Sequence, residues 1–289
     1  MLSHNRLRVA GSVAVLAVIA AAATGCTSKG SSGSSTGSAS QPLTAGQMLT
    51  AAVTKTQQVK TFSGQISLTG TGQDAMTMTG TIAEQVSPLL IQVDLSKLAA
   101  AGENIGQMDE IVNRQGLYMK APALTQELGQ ALGGSSSKPW IEFSTADLGQ
   151  SGLSGLLSAA EDTSPLSATQ MLSGSTNTRT IGTSTLNGVQ VTELQGSEPE
   201  SAAVAKLPSS LRSSLGKELS SLDIGTIDFT VWVDGQDLVR KEVVTEKGSK
   251  ESLTSTAVVT SVNQPANVTV PPSSEVTQIP ASALSGSGL

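Results

Sequence analysis

The chain has 289 residues, 38% apolar and only 14% charged, with 29 glycines and long Ser/Thr runs, a balance that suits one medium domain with tails. It excludes both a wholly disordered chain and a polytopic membrane protein. The formal charge is −6, the only histidine is His4, and the only cysteine is Cys26, so nucleic-acid binding and most imidazole or thiol chemistry fall away at once.

His4, Arg6 and Arg8 form a basic start, Val9 to Ala23 is an unbroken run of apolar and small residues, and Ala23-Thr24-Gly25-Cys26 closes it. This is the pattern of a lipoprotein signal peptide covering residues 1–25, with Cys26 as the lipidated residue. The apolar run is shorter than the roughly 20 residues that span a bilayer, and a spanning helix would leave the cysteine unexplained. Two or more acyl chains on Cys26 would anchor the protein stably, since each buried methylene contributes about 0.8 kcal/mol. With a single cysteine no intrachain disulfide is possible, so an exported domain of this sequence holds together by its core alone.

Residues 26–42 are almost all Ser, Gly and Thr, a flexible tether that keeps the following domain within a few nanometres of the membrane. Thr44-Ala45-Gly46-Gln47 has the form of a capping box, and Met48, Leu49, Ala52 and Val53 recur at helical spacing, which predicts a helix over residues 45–58. The period then changes to two. Phe62, Ile66 and Leu68 share one parity of a strand over Thr61–Thr71, and Met76, Met78 and Ile82 share one parity of the next, over Asp74–Ala83. Leu89, Ile91, Val93 and Leu95 mark a third strand. Glu110–Asn113 and Leu117–Lys120 flank a turn at Asn113-Arg114-Gln115-Gly116, and a further strand begins at Trp140.

Leu124, Leu128, Ala131 and Leu132 predict a short helix, and Ala146–Leu172 reads as mostly helical. Arg179–Thr185 and Val189–Gln195 flank Asn187-Gly188, the dipeptide that suits a type I′ hairpin turn. Leu211, Leu215, Leu219 and Leu222 form one stripe of a helix that starts near Pro208. Three long strands follow in meander order, Thr226–Asp234, Leu238–Glu246 and Glu251–Asn263, and Pro265, Pro271 and Pro272 are expected to end the sheet. The result is an α+β domain of nine or ten strands over residues 43–272, with residues 273–289 as a disordered tail.

Several short motifs taken together point to a known group. These are the lipobox, the helix before a sheet, Asn113-Arg114-Gln115-Gly116-Leu117-Tyr118-Met119-Lys120 with Lys138-Pro139-Trp140-Ile141, the Leu186-Asn187-Gly188-Val189 hairpin, and Val231-Trp232-Val233-Asp234-Gly235 leading to Leu238-Val239-Arg240-Lys241. In this order the chain resembles the actinobacterial LppX/LprAFG-type lipoproteins, within the wider group of LolA/LolB-like half-barrels. The resemblance implies a strongly curved antiparallel half-barrel whose concave apolar face is covered by helices around a cavity for acyl chains. It implies lipid transport or presentation without catalysis, at the extracytoplasmic face of the cell membrane. On this sequence the matching cavity-side residues are Ile66, Leu68, Met76, Met78, Leu89, Ile91 and Val93, with Phe229 and Val231 from the later meander.

Other chemistry is weaker. Ser-x-x-Lys occurs at Ser135–Lys138 and Ser214–Lys217, without the Ser-Asp-Asn and Lys-Thr-Gly motifs that accompany it in acyl transferases. A paired-carboxylate hydrolase drawn from Glu193, Glu198, Glu200, Asp223 and Asp228 would lack the aromatic platforms that sugar sites use, since the chain has only six aromatic residues. Asp234 and Asp237 read as turn caps rather than calcium ligands, and Arg240, Lys241, Lys247 and Lys250 are interleaved with Glu242, Glu246 and Glu251 as a solvated strand pair. No cofactor or metal is expected. The expected partners are the membrane, through the anchor, and an envelope lipid or glycolipid, for a protein that is a monomer. The alternative is a surface interaction lipoprotein with the same fold and a filled core, binding an envelope protein.

Overall fold

Alternating apolar and Thr/Ser/Gln residues give each strand one face for a core and one for water, and this pattern builds a single sheet. The computed structural model describes residues 43–72, 75–122, 138–144, 171–172, 175, 177–206, 224–249 and 251–279. The predicted signal peptide, Cys26, the tether, the helices expected at Leu124–Leu132 and Leu211–Leu222, and nearly all of the helical middle lie outside the described residues.

Helix α1 (Ala45–Thr56) opens the domain with the predicted capping box: Thr44 Oγ1 accepts from the Gln47 backbone N–H, and the Gln47 side chain accepts from the Thr44 N–H at 2.9 Å. It buries Leu49, Ala52 and Val53. The strands are β1 (Thr61–Thr71), β2 (Met76–Gln85), β3 (Leu90–Ala100), β4 (Glu103–Asn113), β5 (Gly116–Lys120) and β6 (Trp140–Ser144). They continue with β7 (Arg179–Leu186), β8 (Val189–Pro199), a short helix α2 (Glu200–Ala205), β9 (Ile224–Asp234), β10 (Val239–Gly248), β11 (Ser252–Val262) and β12 (Val276–Gln278).

The twelve strands of the described residues form one open, curved sheet in the order β12-β6-β5-β4-β3-β2-β1-β11-β10-β9-β8-β7. The chain therefore makes two antiparallel runs, β1 to β6 and β7 to β11, joined side by side where β1 pairs with β11. Bulges bend it: the register slips at Ser63/Gly64 against β11 and at Thr79/Gly80 against β3. Both slips fall at glycines where the backbones nearly touch, because a Cβ on Gly80 would lie 2.2 Å from the Asp94 carbonyl oxygen and one on Gly64 2.6 Å from that of Val258.

The hairpin turn expected at Asn187-Gly188 is present, with φ of 50° and 81° at the two residues, as a type I′ turn requires. The sheet does not end at the prolines. After Pro272 a 3-10 turn, Ser273–Glu275, leads into β12, which pairs in parallel with β6 through Val276 opposite Trp140. Lys138 Nζ ties this segment down by donating to the Ser273 and Val276 carbonyls at 3.3 and 2.8 Å. Val268, Val270 and Val276 pack with Ile111, Tyr118 and Trp140, so the returning chain covers apolar residues of β4–β6 that a free tail would expose.

Of the fold expected from sequence, the large curved antiparallel sheet is present. The described helices are few: α1 packs by β7 and β9, and α2 by β8 and β9.

Candidate functional site

The register divides each strand into two parities, and the apolar one defines an inner face. In its first half Phe62, Leu68, Met78, Ile82, Ile91, Val93, Leu95, Leu98, Met108, Val112, Leu117, Met119, Ile141 and Phe143 join one buried cluster, with Ile66 and Met76 partly buried against it. In its second half Leu194, Ile227, Phe229, Val231, Val233 and Val244 form another cluster, with Leu49 and Ala52 of α1 packed onto them. The sequence-predicted residues thus separate. Ile66, Leu68, Met76, Met78, Leu89, Ile91 and Val93 come together in the first cluster, whereas Phe229 and Val231 belong to the second, under α1.

Local packing explains the second cluster. Phe229 on β9 sits opposite Gly196 on β8, and its ring occupies the place of the missing side chain, since a Cβ on Gly196 would lie 2.4 Å from the ring. That ring is fixed by its own sheet and fills the space beside it.

The first cluster has a different texture. Met76, Met78, Met108 and Met119 lie on four positions of β2, β4 and β5, so four of the chain's seven methionines share this half of the inner face. Unbranched, polarisable side chains adapt to irregular apolar neighbours. Met108 and Met119 were not among the residues expected from the sequence. Their strands read weakly in isolation, and the strand start at Glu103 carries no clear alternation.

Two carboxylates interrupt this face. Glu84 opposes Phe62 and Ile91 on the adjacent strands, and Glu110 opposes Val93 and Met119. Both are buried, and burial alone pushes each carboxyl up from 4.5 to about 8. They too were missed, although the signal was present: Glu84 continues the parity of Met78 and Ile82, and Glu110 sits between Met108 and Val112. On the other half of the sheet, burial and then the charge of Glu200 also raise the Glu246 carboxyl.

Outside the part of β4–β6 that the returning chain covers, the outer parity is rich in polar residues. A hollow of about 620 Å³ there is lined by Gln65, Ser67, Thr79, Thr81, Asp94 and Gln107, and by Ile66, Leu95 and Val258 among its neighbouring residues. A second, of about 460 Å³, is lined by residues that include Asn177, Arg179, Gln195, Ser197, Asp228 and Lys247. There Lys247 pairs with Asp228 at 2.6 Å, and Arg179 donates to the uncharged Gln195 amide at 2.7 Å.

The turn expected at Asp234–Asp237 is capped by side-chain bonds. Asp234 Oδ1 accepts from the backbone N–H groups of Gln236 and Leu238 at 2.8 and 3.0 Å, and Oδ2 from Arg240 Nε at 2.7 Å. Burial alone would raise this carboxyl, but these donors and the Arg240 charge outweigh it and hold it below the usual carboxylate range. Lys241 sits over the Trp232 ring at 4.4 Å, so Arg240, Lys241 and Lys247 each have a local partner, and Lys250 lies outside the described residues. Among the described residues there is no cluster of three His, Cys, Asp or Glu side chains able to hold a metal ion. Of the two Ser-x-x-Lys matches, Lys138 serves the β12 segment, and Ser135, Ser214 and Lys217 lie outside the described residues.

No protein-family model and no curated protein sequence matches this chain. Solved structures do. The crystal structure of the Mycobacterium tuberculosis lipoprotein LppX is 17% identical, with 78% of this chain and 98% of that one covered at a TM-score of 0.45. That of LprF from Mycobacterium bovis is 11% identical, with 79% and 96% covered at a TM-score of 0.46. The solved structures similar to this chain therefore include members of the lipoprotein group that its motifs resemble.

Proposed function

We propose that this protein is a membrane-anchored envelope lipoprotein that binds acyl-chain lipids or glycolipids against the inner face of β1–β6, and transports or presents them without catalysis. The observation that carries this reading is the methionine-rich apolar field formed by Met76, Met78, Met108 and Met119 with the aliphatic residues around them. A field of adaptable side chains suits flexible chains of varied length and branching better than a rigid aromatic wall does. Burying one sixteen-carbon chain there would release on the order of 12 kcal/mol before ordering and association costs. The polar residues of the outer face serve solubility in this account.

Native mass spectrometry of the full chain, extracted from the membrane of an expressing host, tests the reading. Bound lipid in the wild type that is lost in Met78→Trp but retained in the outer-face control Thr79→Trp is the expected result, with organic extraction naming the lipid class. A bare protein mass after incubation with an envelope lipid extract would contradict it and favour the protein-binding alternative.

A further inference from the structure

Of the four buried carboxylates described, two are partnered and two are not. Glu198 accepts from Lys206 through Oε2, with its Oε1 unmet, and Asp234 is bonded at both oxygens. Glu84 is 0% exposed and Glu110 1%, yet both oxygens of Glu84 and Oε2 of Glu110 lack any hydrogen-bond partner. Their cross-strand neighbours, Phe62, Ile91, Val93 and Met119, offer none. A buried carboxyl left in this condition opposes folding unless something else meets it.

The two groups also share a place. Both point to the inner face of the same half-sheet, two strands and two residues apart in the register, a separation of roughly 12 Å from ladder spacings. A lipid laid across the face would pass both. In apolar surroundings a carboxyl stays protonated, and burial holds both in that form at neutral pH. Each then has one O–H to give. The complementary group is an uncharged oxygen acceptor carried within an otherwise apolar ligand. An ester carbonyl between acyl chains fits this description, whereas a phosphate or free carboxylate would bring a charge into a site with no cation beside it.

We propose that Glu84 and Glu110 are ester-recognition points within the acyl-lipid site, each donating its O–H to a carbonyl of the bound lipid. This rests on the reading of the inner face as a lipid site.

The test is native mass spectrometry of the full chain titrated with dioleoylglycerol and with the dialkyl ether of the same chain length, which lacks the carbonyls. The wild type should bind the ester at least tenfold more tightly, the effect of about one hydrogen bond. Glu84→Gln/Glu110→Gln keeps a donor at both positions and should keep the preference. Glu84→Leu/Glu110→Leu should bind ester and ether alike while still binding both. Equal wild-type affinity for the two lipids, or an ester preference that survives the leucine pair, overturns the proposal and leaves the lipid reading intact. Binding of neither lipid overturns both. If the leucine pair fails to fold, the wild-type ratio and the glutamine pair decide.

Discussion

Glu84 and Glu110 set the pH behaviour of this molecule. Each carboxyl sits near 4.5 in the unfolded chain and near 8 in the folded one, so between those values the folded state holds protons that the unfolded state has released. The cost of burying them is therefore least below about pH 4.5, and stability falls as pH rises toward 8. The loss is on the order of a few kcal/mol for each group. Thermal unfolding followed from pH 5 to 8 should show a falling Tm, and Glu84→Gln should flatten that slope; an unchanged slope would place the titration elsewhere. Asp234 works in the opposite sense, because its donors hold the carboxylate charged. Asp234→Ala strands the Arg240 side chain and two backbone N–H groups and should cost about 2–4 kcal/mol in urea unfolding.

Among the elements, those with strong local chemistry were legible in the sequence and those defined by long-range pairing were not. The Thr44–Gln47 capping box and the Asn187-Gly188 turn announce themselves within a few residues, the β9–β10–β11 meander through strands joined by short turns, and the structure shows all three. β12 has only three residues and exists because β6 offers an edge 136 positions earlier, so no local pattern reveals it. The bulges at Gly64 and Gly80 are equally silent. A glycine in a strand marks close backbone approach only once the partner strand is known. Gly80→Ala places a methyl against the Asp94 carbonyl and should open the β2–β3 ladder, with a loss of about 2 kcal/mol or more and faster amide exchange in Ile82 and Val93. Thr44→Ala removes one side of the capping box and should cost about 1 kcal/mol, without touching the first inner-face cluster.

At the scale of the whole molecule, the sheet joins two unequal halves. Under α1, Phe229 fills the hollow beside Gly196 and the packing is self-contained. Across β1–β6, methionines and two unpartnered acids share the inner face. The family resemblance, laid on sequence parity, grouped Phe229 and Val231 with Met78 and Ile91, because alternation reports which face is buried and not which half of the sheet a strand joins. Nor did it single out Glu84 and Glu110, whose meaning depends on neighbours contributed by three other strands. The central claim is that acyl chains lie on the inner face of β1–β6, and photocrosslinking tests it most directly. A fatty acid bearing a diazirine in its chain, incorporated into the lipids of the expressing host and activated by light, should leave adducts on the side chains of Met78, Glu84, Met108 and Glu110, assigned to single residues by fragmentation. Adducts confined to the alternate, outer-face side chains Thr79, Thr81 and Gln107, or absent altogether, would contradict the account.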